Sequence, residues 1–123
     1  MRILVLEDED SIRRMISALV SARGYDVIAA GNGVKAVDES FKTPPDAALL
    51  DLMVPGSFDG FEVLRRLRAE PATANIPIFV ISAMDSPESK AKAMELGATK
   101  FFVKPFSAMQ LLKELEVLKG LKK

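Results

Sequence analysis

The residues that could do chemistry in this chain stand at the ends of short apolar runs. Glu7 and Asp8 follow Ile3-Leu4-Val5-Leu6, Asp51 follows Ala47-Ala48-Leu49-Leu50, Ser82 follows a run ending in Ile81, and Lys104 follows Lys100 to Val103. A buried parallel strand reads as such a run, and ligands of open α/β folds bind at strand carboxyl ends. Brought to one sheet edge, these positions place three carboxylates, one hydroxyl and one ammonium in a single pocket. Carboxylates so close repel one another unless something neutralises them. Mg²⁺ does so, taking one or two carboxylates, a carbonyl and waters. A carboxylate left partly free can attack phosphorus, while the metal and Lys104 stabilise charge on the equatorial oxygens. Ser82 can donate to one of those oxygens. The layout suits acceptance of a phosphoryl group by an aspartate.

The elements that must position these groups alternate five times. Ile3 to Leu6 reads as the first strand, and residues 11 to 23 as a helix with Ile12, Met15, Ile16, Leu19 and Val20 at helical spacing. Asp10 is expected to cap it and Gly24 to end it. Tyr25 to Ala30 is the second strand, and Asn32-Gly33 opens a helix expected to carry Val34, Val37 and Phe41 on one face. After Pro44-Pro45, Ala47 to Leu50 forms the third strand. A loop from Met53 to Phe58 leads to Asp59, a helix cap, and that helix buries Phe61, Leu64 and Leu67 before Pro71. Ile76 to Ile81 is the fourth strand. Ser86-Pro87 starts a helix that Gly97 closes. Lys100 to Val103 is the fifth strand. Ser107 with Gln110 forms a capping box for a last helix with an inner stripe of Leu111, Leu112, Leu115 and Leu118. A (βα)5 pattern implies a parallel sheet covered by helices on both faces. Residues 1–119 read as one domain and 120–123 as a C-terminal tail.

Composition narrows the chemistry. In 123 residues, 49% are apolar, enough for a sizeable core. Lysine plus arginine equals aspartate plus glutamate at 17 each, which gives no electrostatic reason to expect nucleic acid or a membrane as a direct partner. Absence of cysteine excludes disulfides and thiol catalysis, and absence of histidine excludes a serine-type triad base and a phosphohistidine on this chain. No run approaches the roughly 20 apolar residues that span a bilayer. The expected location is the cytoplasm.

Four segments carry a family resemblance. Leu4-Val5-Leu6-Glu7-Asp8-Glu9 resembles the acidic pair of response-regulator receiver domains from two-component signalling. Leu49-Leu50-Asp51-Leu52-Met53-Val54-Pro55 resembles their phosphoacceptor segment, Ile81-Ser82-Ala83 their switch residue with its small neighbour, and Val103-Lys104-Pro105-Phe106 their lysine motif. The resemblance covers essentially the whole chain. It implies a flavodoxin-like doubly wound sheet of order 2-1-3-4-5. It also implies that Glu7 and Asp8 bind Mg²⁺, Asp8 more directly, and that the Met53 backbone carbonyl completes the protein ligands. Asp51 then binds Mg²⁺ and takes the phosphoryl group from a sensor histidine kinase or a phosphotransfer protein, and Ser82 and Lys104 hold the phosphoryl oxygens. Phe101 occupies the aromatic switch position, and the fourth helix, fifth strand and fifth helix form the surface toward a downstream protein, with Lys90, Met109 and Val117 as candidates there. Such a domain catalyses only its own phosphorylation and dephosphorylation.

Two departures stand out. One extra residue lies between Pro55 and Asp59-Gly60, and Phe101 lacks the hydroxyl of the tyrosine often found there. Met53 and Met84, two residues past Asp51 and Ser82, stand where the family's attacking water approaches; neither orients water, so slow spontaneous loss of the phosphoryl group is expected. Competing readings are a receiver-like interaction module that works without phosphorylation, a flavin-binding domain, and an aspartyl phosphatase. Glu7-Asp8-Glu9-Asp10 repels an unaccompanied phosphate, which disfavours the flavin reading. Met53 stands where the phosphatase needs a second aspartate.

Overall fold

The computed structural model describes residues 1–83, 86–104 and 107–121. Strand and helix alternate as β1 (Arg2–Leu6), α1 (Asp10–Ala22), β2 (Asp26–Ala30), α2 (Gly33–Lys42), β3 (Ala47–Asp51), α3 (Gly60–Ala69), β4 (Ile78–Ser82), α4 (Pro87–Glu95), β5 (Lys100–Val103) and α5 (Ala108–Leu121). Every strand pair is parallel and the order is β2-β1-β3-β4-β5. This is the expected (βα)5 doubly wound sheet. The chain leaves β1 for β2 on one side and then crosses to β3 on the other, so a crevice opens at the carboxyl ends of β1 and β3.

The period-two alternation of the strands divides the core. Leu4, Leu6, Ala48, Leu50, Ile78 and Val80 face α2, α3 and α4 through Val37, Val63, Leu64, Leu67 and Ala93. Ile3, Val5, Leu49, Phe79 and Ile81 face α1 and α5 through Ile16, Val20, Leu111 and Leu115. Both sheet faces are covered, which explains why the strands read as unbroken apolar runs. Leu112 packs at the edge of the second cluster, and of Leu118 only the helical backbone is described.

Several local expectations are corrected. The N-cap of α1 is Glu9, with no side-chain cap hydrogen bond, and Asp10 is the first helical residue, its carboxylate paired with Arg13. On α2 only Val37 of the expected face is buried; Val34 and Phe41 are exposed. The stripe that meets the core is Gly33, Ala36, Val37 and Ser40. A Cβ at Gly33 would lie 2.4 Å from the Phe58 carbonyl oxygen, so close approach selects small residues and turns the larger ones outward. β4 begins at Ile78 rather than Ile76, since Pro77 has no N–H and the Ile76 carbonyl is bound by Arg68. Tyr25 precedes β2 and sends its hydroxyl to the Leu115 carbonyl of α5 at 3.1 Å. The cap expected at Asp59 is present, and Asn32 and Ser86, expected to open their helices, cap them as well, each accepting an N–H three residues on. α5 continues through Gly120 to Leu121. Among the described residues no helix is long and apolar enough to cross a membrane.

Candidate functional site

β1 delivers Glu7, whose N–H extends the ladder to the Ala30 carbonyl at 3.1 Å. Glu7 is only 2% exposed, and both its carboxylate oxygens are engaged: Oε1 accepts from Lys104 Nζ at 2.6 Å and Oε2 accepts the Glu9 N–H at 3.1 Å. Asp8, one residue on, faces outward from the same turn. β3 ends in Asp51, which is 5% exposed. Its Oδ2 accepts from Lys104 Nζ at 2.7 Å, and its Oδ1 accepts the Met53 N–H at 3.0 Å, a local turn that bends the chain away from the strand. Lys104 follows β5, and its N–H donates to the Ser82 carbonyl at 2.8 Å. β5 lies two strand spacings from β3, roughly 10 Å. A four-carbon stem meeting an aspartate closes that gap. Ser82 is completely buried at the tip of β4, between Asp51 and Lys104 in strand order.

The fold thus brings Glu7, Asp8, Asp51 and Lys104 together, and sets Ser82 at the adjoining strand end. Carboxylate oxygens of Glu7, Asp8 and Asp51 all lie within 4.8 Å of one another. Partial desolvation at the turn, then the hydrogen bond and charge of the Glu7 carboxyl beside it, push the Asp8 pKa above the ordinary carboxylate value. Burial works to lower the pKa of Lys104, but the hydrogen bonds and charges of Asp51 and Glu7 outweigh it and hold the ammonium protonated. One cation is therefore shared by two buried acids, with Asp8 close beside them. The donors are all hard oxygens, and each ionised carboxylate offers about four lone-pair sites, so the two bonds on Glu7 and the two on Asp51 leave acceptor capacity. These residues fit a small hard divalent cation on the exposed Asp8 side.

The loop after Asp51 holds features the sequence did not disclose. Gly60 donates its N–H to the Leu52 carbonyl at 3.0 Å, and a Cβ there would lie 2.3 Å from the Asp51 carbonyl oxygen and 2.4 Å from Leu52 Cα. Only glycine lets α3 start against the backbone of the acidic strand end. Within the lengthened loop Gly56 takes φ +103° and Ser57 is exposed. Phe58 returns to the core, its ring covered by the Arg66 guanidinium at 4.1 Å. Val54 is buried and Met53 is exposed beside the site. The signal available for Phe58 was an aromatic residue in a loop of small residues.

Of the expected signalling residues, Phe101 is half-buried against the α2–α3–α4 side of the core, Lys90 is exposed, and Met109 and Val117 project from α5. Met84, Pro105, Phe106, Lys122 and Lys123 lie outside the described residues.

Comparison with known proteins agrees with this geometry. Residues 3–116 match the family described as the response regulator receiver domain. The probable transcriptional regulator ycf27 of Porphyridium aerugineum is 39% identical over 110 residues, covering 89% of this chain and 44% of that protein. The DNA-binding dual master transcriptional regulator RpaA of Synechocystis is 34% identical over 117 residues, covering 95% of this chain and 48% of that protein. This chain therefore spans less than half the length of either. Among solved structures, the chemotaxis protein CheY4 of Vibrio cholerae superposes with a TM-score of 0.88 at 32% identity, covering 95% of this chain and 97% of that one. On its sheet order, its acidic strand ends and the match across nearly all its length, this chain belongs to the response regulator receiver domain family, the signalling domains of two-component systems.

Proposed function

We propose that this receiver domain accepts a phosphoryl group on Asp51 in a Mg²⁺-dependent reaction, and that the product alters a protein-binding surface. The observation that supports it is the buried Asp51 carboxylate, held by Lys104 Nζ at 2.7 Å and within 4.8 Å of the Glu7 and Asp8 oxygens. The donor is a phosphohistidine on a separate sensor kinase or phosphotransfer protein; this chain has no histidine to carry one. An Asp51 oxygen forms the new P–O bond as the donor's P–N bond breaks, and the leaving imidazole keeps the electron pair and takes a proton. Asp8, Asp51 and the Met53 carbonyl are the residues that would hold Mg²⁺, with Glu7 beside them and Asp8 the most direct, because Asp8 is the exposed acid of the three. When bound, the ion neutralises the acids and withdraws charge from the transferring phosphoryl oxygens. Lys104 then moves its donation from carboxylate to phosphoryl oxygen. Ser82, buried next door, donates its hydroxyl to another.

That movement of Ser82 vacates space beside β5. Phe101 turns further into it, driven by burial, and the α4–β5–α5 surface changes. The direct partners are proteins. The DNA-binding name of the cyanobacterial relative describes a protein of which this chain matches 48%, and carries no nucleic-acid role to this chain. Exposed Met53 beside Asp51 offers water no hydrogen-bonding guide, so spontaneous loss of the phosphoryl group is slow.

The test is mass spectrometry after treatment with acetyl phosphate and Mg²⁺. One phosphoryl group is expected on the wild type and none on Asp51→Asn. An unmodified wild type favours the phosphorylation-independent interaction module instead. In parallel, Mg²⁺ at about 100 times its dissociation constant should stabilise the fold by about 2.7 kcal/mol, read as a rise in melting temperature.

A further inference from the structure

Arg13 stands in the first turn of α1 with its guanidinium folded back over the β1–α1 turn. Nη1 donates to the Glu7 carbonyl oxygen at 2.9 Å and lies 3.4 Å from that of Asp8. Nη2 pairs with the Asp10 carboxylate. From the β2–α2 turn Gly31 leans over the same group: a Cβ there would come 3.1 Å from Nη1. One cation thus grips the main chain of Glu7 and Asp8, the two acids that follow β1. The Glu9 N–H, bound to Glu7 Oε2, pins that turn from within.

We infer that Arg13 is a positioning residue, which fixes the main chain of Glu7-Asp8 and so holds the Asp8 carboxylate where a divalent cation binds. The inference rests on the Mg²⁺ reading above. Asp8 is exposed and repelled by Glu7 and Asp51, so a loose turn would let its carboxylate swing toward water. A planar guanidinium meets neighbouring acceptors with several N–H groups in fixed directions; an ammonium is a single point charge on a flexible stem.

Charge alone makes the opposite forecast. Arg13 is a cation close to a cation site, so if only its charge mattered, removing it would tighten Mg²⁺ binding. If it positions Asp8, removing it weakens binding. The sign separates the two.

The experiment is a calorimetric Mg²⁺ titration of the full chain as wild type, Arg13→Gln, Arg13→Lys and Gly31→Ala, with amide hydrogen exchange in the absence of Mg²⁺. The half-saturating Mg²⁺ concentration should rise about tenfold in Arg13→Gln, as for other groups that orient a metal's ligands. The rise should be smaller in Arg13→Lys, and detectable in Gly31→Ala, which keeps the charge but crowds Nη1. The Glu9 amide should lose protection in Arg13→Gln while β1 and β3 stay protected. Equal or tighter Mg²⁺ binding by Arg13→Gln overturns the inference. If the wild type binds no Mg²⁺, the reading of the site fails, and the Glu9 amide then decides the clamp: lost protection upholds it and unchanged protection overturns it.

Discussion

Two half-buried cations tie distant segments together at opposite ends of the sheet, and they do so with different partners. Lys104, past the carboxyl end of β5, sits between the Glu7 and Asp51 carboxylates. Arg68, near the end of α3, meets among the described residues only main-chain carbonyls around the amino ends of β4 and β5: Nε and Nη2 donate to Gly97 at 2.9 and 2.8 Å, and Nη1 to Ile76 at 2.6 Å and Ala74 at 3.1 Å. Their pKa values move oppositely. Burial alone lowers that of Arg68, whereas facing acids raise that of Lys104 against burial. Carbonyls are fixed by the chain, so Arg68 is a permanent fastening. Carboxylates can exchange an ammonium for another cation, so the Lys104 bridge is one that can be rearranged. The end of the sheet proposed to change is closed by charges, and the end that holds is closed by backbone.

Mg²⁺ should separate these two fastenings. Lys104→Met leaves two buried acids without their cation and should cost about 3–5 kcal/mol by urea denaturation without metal. Millimolar Mg²⁺ should recover most of that loss; no recovery would mean the acids do not share a cation site. Arg68→Ala should cost about 3 kcal/mol through several unmade hydrogen bonds to a charged group, or roughly 10 °C in melting temperature. Its deficit relative to wild type should be the same with and without Mg²⁺. An Arg68 deficit that Mg²⁺ erases would abolish the contrast.

Tyr25 provides a neutral reference, a single hydroxyl joining β2's entry to α5. Tyr25→Phe should cost about 1 kcal/mol, independent of Mg²⁺. Burial, and then the Glu116 charge, raise the Tyr25 pKa above its ordinary 10.0. A raised folded-state pKa means this contribution is fully present below pH 10 and is lost as pH rises through the folded value. Tyr25 is the sole tyrosine and there is no tryptophan, so phenolate absorbance reads it directly. Ionisation at or below the unfolded value would contradict the buried hydrogen bond.

The sheet and its acidic edge were legible because they depend on local pattern. Apolar runs at Ile3–Leu6 and Ala47–Leu50 mark buried parallel strands, and the polar residue after each marks a strand tip. Caps at Asn32, Asp59 and Ser86 are likewise local, each side chain serving an N–H three residues away. The face of α2 was misread because its rotation depends on Phe58 lying against Gly33, a contact between residues 25 positions apart. The start of β4 was misread because Arg68 takes the Ile76 carbonyl. Arg13, Arg68 and Phe58 gave no strong signal, since their partners are carbonyls or a ring face that any sequence contains.

Residue order alone determined the alternation of strands and helices and which chemical groups stand at the strand tips, because hydrophobic period and capping act within a few residues. Only the tertiary structure decided that one lysine bridges Glu7 and Asp51, that Glu7 is engaged at both oxygens while Asp8 is left outward, and that an arginine of α1 grips the turn between them. Those outcomes depend on strand order and on main-chain oxygens, whose positions are set by packing across the whole sheet.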